Sequence, residues 1–486
     1  MDRTLDYVII AAYLIGIALI GIFKGGKQKS VNDYFLGAKS VPWWAVCFSI
    51  VAAETSTLTF ISIPGLAYLT NFNFLQVTVG YLLGRIIISI YFLPAYYKGE
   101  LNTAYAYLEN RFGSKTRSFA SIVFLITRTA ADGVRLFATA IPLKLMLDIS
   151  YPVAIIIIAA VALVYTYIGG VRGVIWVDVI QMFIYIGGAL AAIIFLSSNL
   201  LPEGFWGLFN SDQIADKLNV INLGFDGGLK NFFSTPYTLF GGLIGGAFLS
   251  MASHGTDQLI VQRLLTIKDL KNSRKAIVGS GIIVIFQFVI FLFVGVALYA
   301  HYGTYDLASL GLLKADEIFP LFIITSLPVG LSGLIIAGLF AAALSTLAGS
   351  MSSLSSSTML DLYKPFRKIK SEAEELRISR MFTIMWAGLL IVSAILFMNS
   401  PDAVVELALS IASFTYGGLL GTFMLGLFVK DAKQEDALAG FTGGILIMVT
   451  VVSLKLVAWT WFTVIGVAAT LLIGKLLSSI NKKVSV

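Results

Sequence analysis

The chain has 486 residues, 58% of them hydrophobic and 13% charged, with a mean hydropathy of +0.88; this excludes an ordinary soluble domain and calls for a bilayer. The formal charge of +7 is compatible with nucleic-acid binding, but the Lys and Arg fall in alternate loops between apolar stretches, so they report topology and nucleic acid is not an expected partner. One cysteine, Cys47, excludes an intrachain disulfide, and with only His254 and His301 a histidine-rich metal cluster is excluded as well.

A membrane-crossing helix needs about 20 apolar residues. Thirteen such stretches are predicted, at 5–23, 42–69, 72–97, 118–147, 152–170, 173–199, 235–255, 275–301, 318–360, 378–398, 403–428, 437–453 and 456–478. The fold class expected is therefore an all-α integral membrane protein with about 13 transmembrane helices. The first stretch has Arg3 before it and Lys24, Lys27, Lys29 and Lys39 after it, the reverse of a cleavable signal peptide, so it reads as a mature helix.

The second stretch, PWWAVCFSIVAAETSTLTFISIPGLAYL, has five polar residues among the six from Glu54 to Thr59, followed by Pro64-Gly65. Such a run is costly in hydrocarbon unless it lines a cavity, so a mid-membrane break is predicted there. Five stretches later, PYTLFGGLIGGAFLS carries the pairs Gly241-Gly242 and Gly245-Gly246. Interrupted spans at matching positions are the mark of a five-plus-five inverted repeat, although the same glycines serve close helix packing equally well. The chain divides accordingly into an extra helix and loop (1–40), a first repeat (41–200), an external loop (201–234), a second repeat (235–430) and two C-terminal helices (431–486).

With the N-terminus outside, the loops on the cytoplasmic side hold 25 of the 34 Lys and Arg. The positive-inside rule then gives N-outside and C-inside, which thirteen crossings require. A multi-pass protein of the cell inner membrane, surrounded by lipid, is expected. Oligomeric state is not readable from the sequence.

The ninth stretch, GLFAAALSTLAGSMSSLSSST, places Ala342, Ser345 and Thr346 at i, i+3 and i+4, so two hydroxyls and one carbonyl share a helix face. Neutral oxygens of this kind suit sodium, a hard cation. Ionisable residues inside spans are Arg85, Arg128, Arg135, Lys144, Glu54, Asp132, Asp178 and Glu406, and these should face a cavity or one another. Glu54, in the expected break, can meet a solute, an ion or Arg135, whereas Asp132 and Arg135 can neutralise each other on one helix face. Lys144 and Glu406, near span ends, read as snorkelling. Enzyme motifs are lacking: Gly21 to Lys27 imitates a phosphate loop, but Gln28 replaces its Ser/Thr and an apolar helix precedes it.

Four segments, AAETSTLTFIS in the second stretch, YIGGVRGVIWVDVIQ at 167–181, HGTDQLIVQR at 254–263 and AAALSTLAGSMSSLSSS in the ninth, together resemble the sodium/solute symporters, the group of sodium/glucose, sodium/proline and bacterial sialic acid transporters. The resemblance spans nearly the whole chain. It implies a LeuT-type fold with a ten-helix core, sodium as coupling ion with no organic cofactor, and no enzymatic activity. It further implies a sodium site made by the carbonyls of Ala52, Thr55 and Ala342 and the hydroxyls of Ser345 and Thr346. The solute contacts it implies are Ser56 and Thr59, with Glu54 a departure; Glu54, Gln76 and Arg135 are further candidate solute contacts, and the set ADGVR at 131–135 differs from the family's pattern.

In some relatives a second sodium uses the aspartate matching Asp178 and hydroxyls one turn beyond Ser345. Those positions are Ala348 and Gly349 here, so one sodium per solute is expected and Asp178 is a candidate ion relay. The expected function is sodium-coupled import of a small organic solute by alternating access, the solute being a sugar or a sugar acid such as sialic acid. The alternative is a monocarboxylate or amino acid transporter driven by sodium or protons; a sensor built on the same scaffold and an uncoupled channel are the other classes weighed.

Overall fold

Backbone in hydrocarbon has to satisfy its own hydrogen bonds, and for apolar runs of this length the helix does so within one segment. The computed structural model describes residues 3–147, 149–200, 204–207, 212–225, 227–303, 306–398 and 404–484, and these form helices joined by 3₁₀ and π turns and loops, with no strand among them. The helices that build the site are α1 (Thr4–Gly25), α2 (Trp43–Glu54), α3 (Thr57–Leu69), α4 (Leu75–Ile87), α5 (Ser114–Leu147), α6 (Tyr151–Phe195), α7 (Gly246–Gly255), α8 (Gln258–Leu265), α9 (Leu270–Tyr302), α10 (Leu331–Ser357) and α11 (Val404–Phe428).

The expectation of thirteen spans is corrected. Among the described residues eight helices are long and apolar enough to cross a membrane, or nine if the pair Val31–Lys39 and Trp43–Glu54, bent by 112°, is one span. Stretches 152–170 and 173–199 join in one helical run, Tyr151–Leu200, because Gly170 turns the chain at φ +56 without ending it. Stretch 42–69 does the opposite and divides into α2 and α3, of 12 and 13 residues, each too short to span alone. Stretch 118–147 lies in α5, whose central turns carry Arg128, Asp132 and Arg135. Stretch 235–255 becomes the π turn Gly241–Gly245 followed by the 10-residue α7. Stretch 403–428 begins outside the described residues, and the five-plus-five count that rested on thirteen stretches goes with them.

The glycine pairs bring backbones together. A Cβ on Gly242 would lie 2.9 Å from the Gln76 carbonyl carbon and one on Gly246 would lie 2.6 Å from the Val77 oxygen, so the turn before α7 packs against α4 at a distance only glycine permits. α6 packs lengthwise against both α1 and α10. From α1, the buried Asp6 receives the Gly330 and Gly333 amides at 2.6 and 2.9 Å and the Ser332 hydroxyl at 2.7 Å. A carboxylate on another helix thus caps the N-terminus of α10, satisfying donors the helix leaves open. α10 is the most enclosed of the apolar helices, 89% of its span being buried, which is why a helix this rich in serine persists: its hydroxyls have protein partners instead of lipid.

Candidate functional site

α2 ends because the chain turns extended at Thr55 (φ −78, ψ 104) and Ser56 (φ −95, ψ 169), and Ser56 then caps α3 by accepting the Thr59 amide at 3.4 Å. Thr55 closes the last turn on the Val51 carbonyl, so the carbonyls of Ala52, Ala53 and Glu54 lose their next-turn donors. α10 lies across this end. The Thr346 hydroxyl reaches the Ala53 carbonyl at 3.4 Å and the Ala342 carbonyl of its own helix at 3.3 Å. Of the five expected sodium ligands, Ala342, Thr346 and the break holding Ala52 and Thr55 are brought together by this arrangement. The Thr55 hydroxyl is engaged elsewhere, donating to Val51 at 2.9 Å and accepting from Gln287 at 2.6 Å and Tyr185 at 3.2 Å, which leaves its carbonyl as the available oxygen.

Ser345 turns to the other side of α10 and donates to Asp178 at 2.6 Å. Asp178, wholly buried, also receives the Ser49 hydroxyl and the Arg263 guanidinium, the latter at 3.0 Å. A Cβ on Gly349 would fall 2.5 Å from an Arg263 nitrogen. The guanidinium of α8 therefore fills the space one turn beyond Ser345, where the resemblance led to hydroxyl ligands.

Between the break and α10 lies a cavity of about 300 Å³, open solvent included, lined by Ser56, Thr57, Asp132, Arg135, Thr139 and Thr346 among others. Arg135 bonds Asp132 at 2.8 Å, retains 26% exposure, and its buried Nε has no acceptor. The far side of Arg135 lines a second cavity of about 390 Å³ with Arg128, Asp257 and Tyr416. Arg128 ties the set together, bonding Asp132 at 2.5 Å and Asp257 at 3.3 Å, while Tyr416 on α11 donates to Asp257 at 3.2 Å. Asp132 and Arg135 do neutralise each other, yet the arginine keeps an edge free.

Three expected solute contacts lie elsewhere. Glu54 pairs with Arg85, not Arg135, and His254 lies 3.5 Å away. Gln76 is 3% exposed and is held between the Tyr237 carbonyl at 3.1 Å and the Asn222 amide at 3.3 Å, so it anchors the external loop. Thr59 is not among the residues that line the cavity with Ser56 and Thr57. At span ends, Lys144 sits 4.2 Å over the Tyr151 ring, and the Glu406 side chain is outside the described residues. Thr57, Arg263, Tyr185, Gln287 and Tyr416 were not singled out from sequence. Two of them carried a signal: Arg263 as the last residue of HGTDQLIVQR, and Thr57 within the polar run of AAETSTLTFIS.

Outside the spans, Lys217 of the external loop is 2% exposed. It donates to the Tyr68 carbonyl at 2.6 Å and the Thr70 carbonyl at 3.3 Å, over the C-terminal end of α3, and rests 3.9 Å above the Tyr299 ring. Burial lowers its ammonium to about 8.

The sequence profile of the sodium:solute symporter family matches residues 34–444. The sodium/sialic acid symporter NanT of Aliivibrio fischeri is 31% identical over 484 residues, covering 99% of this chain and 94% of the relative. The sodium/sialic acid symporter SiaT of Proteus mirabilis is 30% identical over 91% of this chain and 88% of its own, and the human sodium-coupled monocarboxylate transporter 1 is 28% identical over 91% and 72%. Among solved structures, a sodium-coupled sialic acid symporter in a substrate-bound outward-open state superposes with a TM-score of 0.87 at 28% identity, covering 99% of this chain and 98% of the other. A nucleobase-cation-symport-1 transporter shares the fold at a TM-score of 0.59 and 13% identity, over 90% of this chain and 92% of the other.

Proposed function

This chain belongs to the sodium:solute symporter family and is a sodium-coupled symporter of a small organic solute, a multi-pass membrane protein and not an enzyme, and on that premise we propose that its solute is a sugar acid of the sialic acid class, bound by its carboxylate to Arg135. The observation that carries this reading is the spare edge of Arg135, whose pairing with Asp132 leaves Nε without an acceptor beside a cavity. Guanidinium and carboxylate match as two parallel hydrogen bonds. Ser56 and Thr57 add hydroxyls on the facing wall, as a polyhydroxylated acid needs. The names of two relatives at 30% and 31% identity point to the same solute class.

Sodium is proposed to bind the carbonyls of Ala52, Thr55 and Ala342 and the hydroxyl of Thr346, while Ser345, the fifth ligand expected from sequence, is committed to Asp178. Thr346 supports this because it touches the break on one side and lines the solute cavity on the other, so ion and solute share one wall. Sodium bound first holds α2, α3 and α10 in the arrangement that completes the solute cavity, which is coupling by a shared element. A stoichiometry of one sodium is proposed from the Arg263 cation on Asp178. The N-terminus is placed outside and the C-terminus in the cytoplasm from the distribution of Lys and Arg, in the cell inner membrane.

The test is the melting temperature of purified protein against sugars, sialic acids, monocarboxylates and amino acids, each in sodium and in potassium. A sugar acid that stabilises in sodium alone is the expected outcome. Stabilisation by a short monocarboxylate but not by sugar acids would overturn the solute assignment, and equal stabilisation in both salts would overturn the sodium site.

A further inference from the structure

Glu54 is the last residue of α2 and so stands at the break itself, one residue from Thr55 and two from Ala52. A helix C-terminus already carries about half a negative charge, and a carboxylate there adds a full one to the attraction for any nearby cation. That carboxylate is met by Arg85 of α4, which is 0% exposed. Arg85 is held in turn from two further helices: its guanidinium donates to Ser280 of α9 at 2.9 Å and lies 3.0 Å from His254 Nε2 of α7. His254 is oriented by Ser253 at 2.8 Å through its other ring nitrogen. None of Glu54, Arg85 and His254 lines either cavity beside Arg135, so the solute does not account for them.

We propose that Arg85 is a positioning residue of the sodium site: by neutralising Glu54 at the end of α2 it keeps that site uncharged and sets sodium affinity low enough for release. With the pair intact, sodium sees only neutral carbonyls, hydroxyls and the helix end. A unit charge left within about 8 Å of an ion changes its affinity by at least tenfold at an effective dielectric of about 20. Removing one partner therefore moves sodium affinity in a direction set by the charge that remains. A merely structural pair would not show this sign.

The inference rests on the sodium site proposed above, and sodium alone is the probe. The melting temperature of the purified full chain is titrated with sodium chloride against potassium chloride at constant ionic strength. E54Q leaves Arg85 unpaired, and the half-saturating sodium concentration rises at least tenfold. R85Q leaves Glu54 unpaired, and it falls at least threefold. E54Q/R85Q restores it to within threefold of the wild type, and H254Q, which leaves the Glu54–Arg85 pair in place, stays within threefold. If the single variants shift in the same direction or do not shift, or the double variant does no better than the worse single, the inference is overturned. A double variant that folds where R85Q does not leaves E54Q against E54Q/R85Q as the deciding pair. A wild type without sodium-specific stabilisation would instead sink the sodium site itself, and the two failures are distinct.

Discussion

Asp178–Arg263 and Asp132–Arg135 are the same chemical pair in two settings. Arg263 is 1% exposed and spends its donors on Asp178, Ser49 and the Leu259 carbonyl. Arg135 shares Asp132 with Arg128, keeps 26% exposure and has a donor left over beside a cavity. One arginine is saturated and the other is not. In a membrane protein that difference separates a cation that holds helices together from one able to take a ligand, because a buried donor without an acceptor is costly unless something fills the place.

The largest effect expected from breaking this contrast is at the saturated pair. R263Q leaves Asp178 buried without its cation, a loss of about 3–5 kcal/mol of stability for a pair this enclosed, seen as a sharply lower melting temperature with and without solute. R135Q is the opposite case. Asp132 keeps Arg128, so the fold and sodium-dependent stabilisation survive, while solute affinity by calorimetry falls about 100-fold, about 2.7 kcal/mol for a lost charge-assisted pair. Equal damage to folding from the two substitutions would erase the distinction between the pairs.

A smaller effect sharpens the role of Arg263 as a built-in cation. If Asp178 holds Arg263 in place of a second sodium, one sodium travels with one monoanion and uptake is electroneutral. Proteoliposomes then accumulate the acid only about tenfold on a tenfold sodium gradient, and an imposed potential of 100 mV, equivalent to about 2.3 kcal/mol per charge, leaves that ratio unchanged. A potential-driven increase would mean a second ion.

Much of this contrast was within reach of the sequence, but not all for the same reason. The break at Thr55–Ser56 was legible because a polar run inside an apolar stretch has few physical explanations, whereas Ser345, expected on one face of α10 with Thr346, turns to Asp178. Arg135 was legible as a charge in a span. Its free edge was not, because that depends on Arg128 taking a share of Asp132, a matter of rotamers. For Glu54 the sequence left a solute, an ion and Arg135 open, and its partner is Arg85, 31 residues away on another helix, a pairing no local spacing reveals. The span count failed for a related reason: hydropathy sees apolar length but cannot tell whether a glycine such as Gly170 ends a helix or only bends it.

The smallest effect concerns a third buried cation, Lys217, which rests against carbonyls and the Tyr299 ring. Burial lowers its ammonium to about 8 in the fold, against the ordinary 10.5. Between those values the unfolded chain binds the extra proton, so stability gained by this group rises with pH, being absent below about pH 8 and complete above about pH 10.5. The melting temperature of the wild type relative to K217M is therefore expected to climb from pH 7.5 to pH 10, by an amount worth on the order of 1 kcal/mol after allowance for solvent at the loop. A difference that stays flat would mean that the partners of Lys217, the carbonyls at the end of α3 and the Tyr299 ring among them, offset the cost of burying its charge.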